Sequence, residues 1–246
     1  MKTLVIKYEI WLVLLALTIT VFAGFYHLSE SPGVWYDEGF FEQVAMNFAS
    51  HGMQVMQLSP GHYLSSWAAT SAGYPLIYPM SVVFKWFGAS VLAARAVTVT
   101  YLILLVVVAY LFVRRESGPV QAVIAVFLLA SFPILYGNGR SVLGEVPALF
   151  YFGLMLLALQ SLERSRYKDR FAALMTGVMA GLSFAAKYTF MLVPAAVTIA
   201  FLFRGRILLR ELDWKNWMLG VVGFLVPFTI WFMLQFQPGD SVSTVL

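Results

Sequence analysis

Long apolar runs separated by short polar breaks set the pattern of this chain. An α-helix needs about 20 predominantly apolar residues to cross the hydrocarbon of a bilayer. Runs of that kind cover residues 9–28, 91–113, 119–137, 144–162 and 216–236. The second ends at Arg114-Arg115-Glu116. The third starts at Pro119 and closes on Gly137-Asn138-Gly139, which reads as a turn. The fourth ends in a charged run from Glu163 to Arg170. One further apolar stretch, 171–203, is too long for a single span at about 1.5 Å per residue and short for two.

Charge resolves that stretch. Arg164, Arg166, Lys168 and Arg170 precede it, and Arg204, Arg206 and Arg210 follow it. Loops rich in Lys and Arg stay on the cytoplasmic side. Both flanks are then inside, and the stretch is a hairpin of two short helices turning near Lys187, with Pro194 in its second arm. The expectation is an all-α, polytopic transmembrane bundle of about seven helices, N-terminus cytoplasmic and C-terminus outside. Lys2, Lys7, Arg114, Arg115, both clusters and Lys215 fall inside. Outside fall Lys85, Arg95, Arg140 and Lys187, four cations that the orientation does not require.

The outer segment 29–90 is the one sizeable loop. It opens with the turn signal Ser31-Pro32-Gly33. Phe40, Phe41, Val44, Ala45 and Phe48 then recur at helical spacing, opposite Glu42, Gln43 and Asn47. This predicts an amphipathic helix on the outer membrane surface, with Asp37 at its N-cap and Gly52 at its stop. Ser59-Pro60-Gly61-His62 follows. The two prolines of Tyr74-Pro75-Leu76-Ile77-Tyr78-Pro79 argue against a continuous span, so 74–88 reads as a re-entrant or interfacial helix ending at Gly88.

Composition agrees and narrows the chemistry. The chain has 246 residues, 61% hydrophobic and 11% charged, whereas soluble domains are about one quarter charged. Its solvent is lipid. With no cysteine there is no thiol nucleophile, thiolate metal site or disulfide framework. The apolar run 10–26 lacks a small-x-small cleavage site and reads as a retained helix. The basic clusters are orientation signals, and no nucleic-acid motif is present.

Candidate chemistry gathers outside. Asp37 reads as a helix cap and as a general base held at the lipid–water boundary, and a cap would fix such a base in place. Glu38 and Glu42 lie one helical turn apart, and Glu42 reads as part of a wet polar face. Glu145, in Gly144-Glu145-Val146-Pro147, suits the first turn of the fourth helix, but an ionisable group near hydrocarbon is also a functional candidate. Arg140 reads as an interfacial anchor. Lys187 reads either as a snorkelling side chain or as a cation for a lipid-borne phosphate, a role open to Arg95 as well. His27, His51 and His62 form no pair with metal-ligand spacing.

Together, Asp37-Glu38, Tyr74-Pro75-Leu76, Phe87-Gly88, Arg95, Arg140 with Glu145, and Gly181-Leu182 with Lys187 resemble the GT-C membrane glycosyltransferases. The nearest likeness is to the protein mannosyltransferase and lipid A aminoarabinose transferase group. The resemblance covers nearly the whole chain, and Glu145 stands where an Asp is common. It implies one transmembrane domain, 1–246, as an N-terminal portion of a longer protein in the plasma (inner) membrane. It implies transfer of a sugar from a polyprenyl-phosphate donor to a lipid, glycan or protein acceptor on the extracytoplasmic face, with inversion. Asp37, Glu38 and Glu145 would be the catalytic acids. Lys187, Arg140 and Arg95 would contact the donor phosphate. A divalent metal bridging carboxylates and phosphate stays open. The competing readings are a transporter or flippase with Lys187 and Glu145 as intramembrane sites, and a scaffold without chemistry. An acid-led outer helix and the lack of an inverted repeat favour the transferase.

Overall fold

The computed structural model describes residues 2–192, 196 and 214–236. Four helices among them are long and apolar enough to cross a membrane: α1 (Lys2–Phe25), α5 (Val91–Ser117), α8 (Glu145–Arg164) and α10 (Trp214–Gln235). Two shorter ones, α6 (Pro119–Ala130) and α7 (Pro133–Arg140), are long and apolar enough only together, across a bend of 62°, as a broken span or a re-entrant loop. The chain is thus a multi-pass helical membrane protein. Among the described residues, up to five of the seven expected crossings are matched by helices of spanning length and apolarity. For the hairpin over 171–203, the first arm is α9 (Arg170–Ala186), which stops at Lys187, followed by a short 3-10 turn at Tyr188–Met191. Pro194 and the basic cluster at Arg204, Arg206 and Arg210 lie outside the described residues.

The segment between α1 and α5 contains α2 (Tyr36–His51), the strands β1 (Val55–Ser59) and β2 (His62–Ser65), α3 (Ser66–Ala69) and α4 (Tyr74–Phe87). α2 ends at Gly52 in the left-handed region, and α4 ends at Gly88. The antiparallel hairpin of β1 and β2, with Val55 opposite Ser65 and Ser59 opposite His62, was not expected from the residue pattern. Its strands are too short for alternation to stand out. It is held to α2 by two side chains, Gln43 donating to Gln57 O (3.1 Å) and Asn47 to Val55 O (2.9 Å).

The third apolar run also differs from its expectation. Residues 137–139 lie inside α7, and the break falls earlier, at Ser131-Phe132. Pro133 lacks the N–H that would continue the ladder, and it keeps Phe132 extended. The carbonyls released there find partners: Ser131 Oγ donates to Leu128 O (3.2 Å) and Tyr136 Oη to Ala130 O (2.8 Å).

The largest buried cluster lies at the end of the bundle that holds α2 and α4. Phe41, Val44, Leu76, Met80, Leu102 and Val142 bring α2, α4, α5 and the segment before α8 together. Elsewhere the helices expose large apolar residues such as Leu128 and Met233, as lipid-facing surfaces do. The opposite end of the bundle is tied by polar contacts. Arg114 meets Glu9 (2.6 Å), Gln160 donates to Glu116 (3.0 Å), and Asn216 donates to Tyr167 O (2.7 Å).

α4 carries an internal proline. Pro79 cannot donate to the Pro75 carbonyl one turn back. The buried Tyr101 hydroxyl takes that place, donating to Pro75 O at 2.6 Å. Tyr101→Phe leaves this carbonyl unsatisfied and is expected to cost about 1–3 kcal/mol, read as a lower Tm in detergent. Adding Pro79→Ala returns a backbone donor and should recover part of the loss.

Candidate functional site

α2 begins at Tyr36 with Trp35 as N-cap, so Asp37 is its second residue and not the cap expected from residue type. The capping interaction comes from the third position instead. The Glu38 carboxylate reaches back to the Trp35 N–H (2.8 Å). An acid three residues into a helix satisfies an N–H that the helix itself cannot.

Glu38 does more than cap. Its Oε1 accepts from Arg95 Nε (3.1 Å) and from the Val142 N–H (2.7 Å), and its Oε2 accepts from Arg95 Nη2 (2.8 Å). Arg95 Nη1 donates to Leu28 O (2.9 Å) and Pro32 O (2.8 Å). Both side chains are 0% exposed. The two residues expected to serve as a catalytic acid and a phosphate contact therefore face each other. All four acceptor positions of Glu38 and four of the five Arg95 N–H groups are taken by protein groups.

Asp37 is different. It is partly exposed and, among the described residues, makes no hydrogen bond or ion pair. Its backbone is fixed by the neighbouring Glu38, and as an acid in the first helical turn it meets the positive end of the helix dipole.

A second ion pair lies at the same end of the bundle. Lys187 Nζ is 2.9 Å from Glu145 Oε1. Lys187 is 8% exposed and its ammonium stands 5.8 Å from the centre of the Phe41 ring, a cation–π distance. α9 ends at Lys187, whose extended backbone pairs with Ala72, and the Tyr188 N–H donates to Ser71 O (3.3 Å). Gly144 lets the segment before α8 come this close. A Cβ there would stand 2.6 Å from Ala186 O and 3.0 Å from Lys187 Cδ. In contrast to the first pair, this one is incomplete. Glu145 Oε2 is buried and has no hydrogen-bond partner.

Arg140 ends α7. Its Nη2 donates to Tyr26 O, while its Nε is buried without a partner. Glu42, read from sequence as a wet polar residue, is half-buried, and its Oε1 is enclosed with no partner. Burial raises its pKa above the ordinary carboxylate range, and the Glu38 charge adds to the rise, against a smaller opposing effect of Arg95. The available signal was its place one turn beyond an acid that is itself buried. Among the described residues no three His, Asp or Glu side chains converge in a way that could hold a metal ion.

This multi-pass helical bundle has the fold of the GT-C membrane glycosyltransferases. Residues 75–231 match the model of the dolichyl-phosphate-mannose-protein mannosyltransferase family, and the chain belongs to that family. Its fold is shared by solved structures. The Saccharomyces cerevisiae protein O-mannosyltransferase Pmt1–Pmt2 complex bound to the sugar donor superposes with a TM-score of 0.72 at 16% identity, over 93% of this chain and 34% of that one. ArnT from Cupriavidus metallidurans bound to undecaprenyl phosphate gives 0.72 at 19% identity, over 90% and 41%. The Archaeoglobus fulgidus oligosaccharyltransferase gives 0.62 at 19%, over 97% and 32%. The chain thus spans between 32% and 41% of the length of these proteins. No curated protein sequence matches it.

Two outcomes test the site's electrostatics. Removing one member of a buried ion pair strands the other, which costs about 3–5 kcal/mol. Arg95→Met should therefore lower the Tm sharply, and pairing it with Glu38→Leu should recover part of the loss. For Glu42 the sign follows from its raised pKa. The unfolded chain releases this proton in the ordinary carboxylate range, while the folded protein holds it to higher pH. Stability then falls as pH rises through that interval, and the penalty is complete above it. Glu42→Gln should match the wild type in acid and exceed its Tm above the interval.

Proposed function

We propose that the protein moves a sugar from a polyprenyl-phosphate-linked donor to a hydroxyl of a lipid, glycan or protein acceptor on the extracytoplasmic face of the plasma membrane. The observation that carries this reading is the contrast at the head of α2. Asp37 is left without a partner, while the adjacent Glu38 is locked. A carboxylate held in place with its lone pairs free is what a general base requires.

In the proposed step, an acceptor hydroxyl is bound beside Asp37. As its oxygen attacks the anomeric carbon, its proton passes to the Asp37 carboxylate. The bond between the anomeric carbon and the phosphate oxygen breaks, and its electron pair leaves with the polyprenyl phosphate. Attack from the face opposite the leaving group inverts the anomeric configuration. The departing phosphate gains negative charge, and fixed cations stabilise it. Lys187 and Arg140 keep N–H groups available for that purpose, and both belong to the same end of the bundle as Asp37. Arg95 and Glu38 take a positioning role, because their contacts are internal. Family membership supports the reaction class. A membrane groove suits a donor whose prenyl tail is insoluble, and the outer placement agrees with the basic residues gathered at the opposite end.

Asp37→Asn keeps the shape and removes the base. With a positioned base worth about 10²–10⁴ in rate, transfer from a polyprenyl-phosphate sugar in membranes carrying the protein should fall by at least two orders of magnitude. Donor affinity should be little changed. A variant that transfers at the wild-type rate would remove Asp37 from the mechanism.

A further inference from the structure

The pair of Glu145 and Lys187 is unlike the other ion pair at this end of the bundle, because both partners have hydrogen-bonding capacity left over. Lys187 Nζ carries three N–H donors. Among the described residues its ammonium has one polar partner, Glu145 Oε1 at 2.9 Å, with the Phe41 ring at 5.8 Å. The residue is 8% exposed, so bulk water does not freely supply the rest. Glu145 Oε2, on the same carboxylate, is buried and accepts nothing. Buried polar groups are ordinarily satisfied, and an orphan in a native fold calls for an occupant.

The two vacancies are opposite in kind and adjacent in space. The ammonium wants an acceptor and the carboxylate oxygen wants a donor. A phosphate alone meets only the first need and would be repelled by the second group. A neutral hydroxyl alone leaves the ammonium without charge compensation beyond Glu145. A ligand that meets both places an anionic oxygen and a hydroxyl a few bonds apart. A glycosyl phosphate whose sugar carries a hydroxyl next to the anomeric carbon has that arrangement.

From this we infer that Glu145 is the residue that reads the donor sugar. Its Oε2 accepts the hydroxyl neighbouring the anomeric carbon, while Lys187 holds the adjoining phosphate. This rests on the transferase reading and deepens it. Glu145 becomes a specificity-determining contact, distinct from the base at Asp37. The carboxylate also keeps the ammonium compensated when no donor is bound. α8 and α9 hold the two side chains in register, since Ser183 Oγ donates to Ala148 O (2.9 Å) one turn from each.

The test compares two polyprenyl-phosphate donors that differ only in that hydroxyl, one bearing it and one 2-deoxy. A hydrogen bond to a charged group is worth about 1.5–3 kcal/mol, or roughly tenfold to a hundredfold. The wild-type kcat/KM should favour the hydroxylated donor by that factor. Glu145→Ala should lose most of its activity on the hydroxylated donor and little on the 2-deoxy donor, so that the preference disappears. Because Glu145→Ala strands Lys187 and can unfold the protein, Glu145→Gln and a binding measurement accompany it. Glu145→Gln should weaken binding of the glycosylated carrier and should not weaken binding of sugar-free polyprenyl phosphate, from which it removes a neighbouring negative charge. Lys187→Gln should weaken both.

A preference that survives in the Glu145 variants overturns the inference while leaving the transferase reading intact. The vacancies are then filled by water alone. Equal weakening of sugar-free and glycosylated carrier in Glu145→Gln also overturns it, because Glu145 then acts only through Lys187. A wild-type protein that transfers no sugar from either donor removes the transferase reading, and this inference falls with it.

Discussion

The buried contact between Glu38 and Arg95 is the constraint from which the half of the domain around α2 and α4 follows. Withdrawing a carboxylate and a guanidinium from water costs several kcal/mol for each ion, and mutual attraction alone does not offset it. The remaining contacts do. Glu38 accepts four N–H bonds, and Arg95 donates to two carbonyls besides the carboxylate. Those partners come from residues 28–32, from Trp35, and from Val142 before α8. Residues 28–35, Arg95 and Val142 are far apart in the chain. The charges are satisfied only when all the segments are in place, so these segments order together. Asp37 inherits its position from this arrangement as the residue adjoining Glu38.

Irregular backbone collects at the same end. α4 contains Pro79, the helix breaks before Pro133 between α6 and α7, and α9 stops at an extended Lys187. In a membrane such breaks are tolerated where protein groups meet the released carbonyls and amides. Tyr101, Ser131 and Tyr136 do so for the first two breaks, and Ser71 with Ala72 do so at the third. The interruptions and the ionisable groups share one location for one reason. An interrupted helix offers side chains and backbone at a defined depth, whereas a regular helix facing lipid can only present apolar surface.

Much of this was legible in the residue pattern. The spans α5 and α8 lie close to their apolar runs, and α2 and α4 stop at the expected glycines. Those signals are local and strong. What was not legible depends on partners distant in sequence. Arg95 and Lys187 stood out as cations on the wrong side of the charge rule, yet periodicity carries no information that the first would meet Glu38 and the second Glu145. The N-cap was misplaced for a related reason. Residue preference pointed to Asp37, but the free N–H is satisfied by Glu38 from three residues on. Glu42 was taken for a solvated residue because α2 was read as lying on lipid, when the bundle encloses part of its carboxyl. The β1–β2 hairpin is too short to have a period.

The two acid–base pairs differ in how far their hydrogen-bonding capacity is used. Both join a carboxylate to a cation at the same end of one bundle. Arg95 presents a rigid fork that matches a carboxylate and two carbonyls at once, so substituting a ligand for any of them would break an arrangement that several segments share. Lys187 is a single point charge on a flexible stem, with one carboxylate oxygen in contact and the other unfilled. Its partner can shift without undoing the fold around it. The rigid fork suits a contact that several segments share, and the flexible stem suits a partner that can move.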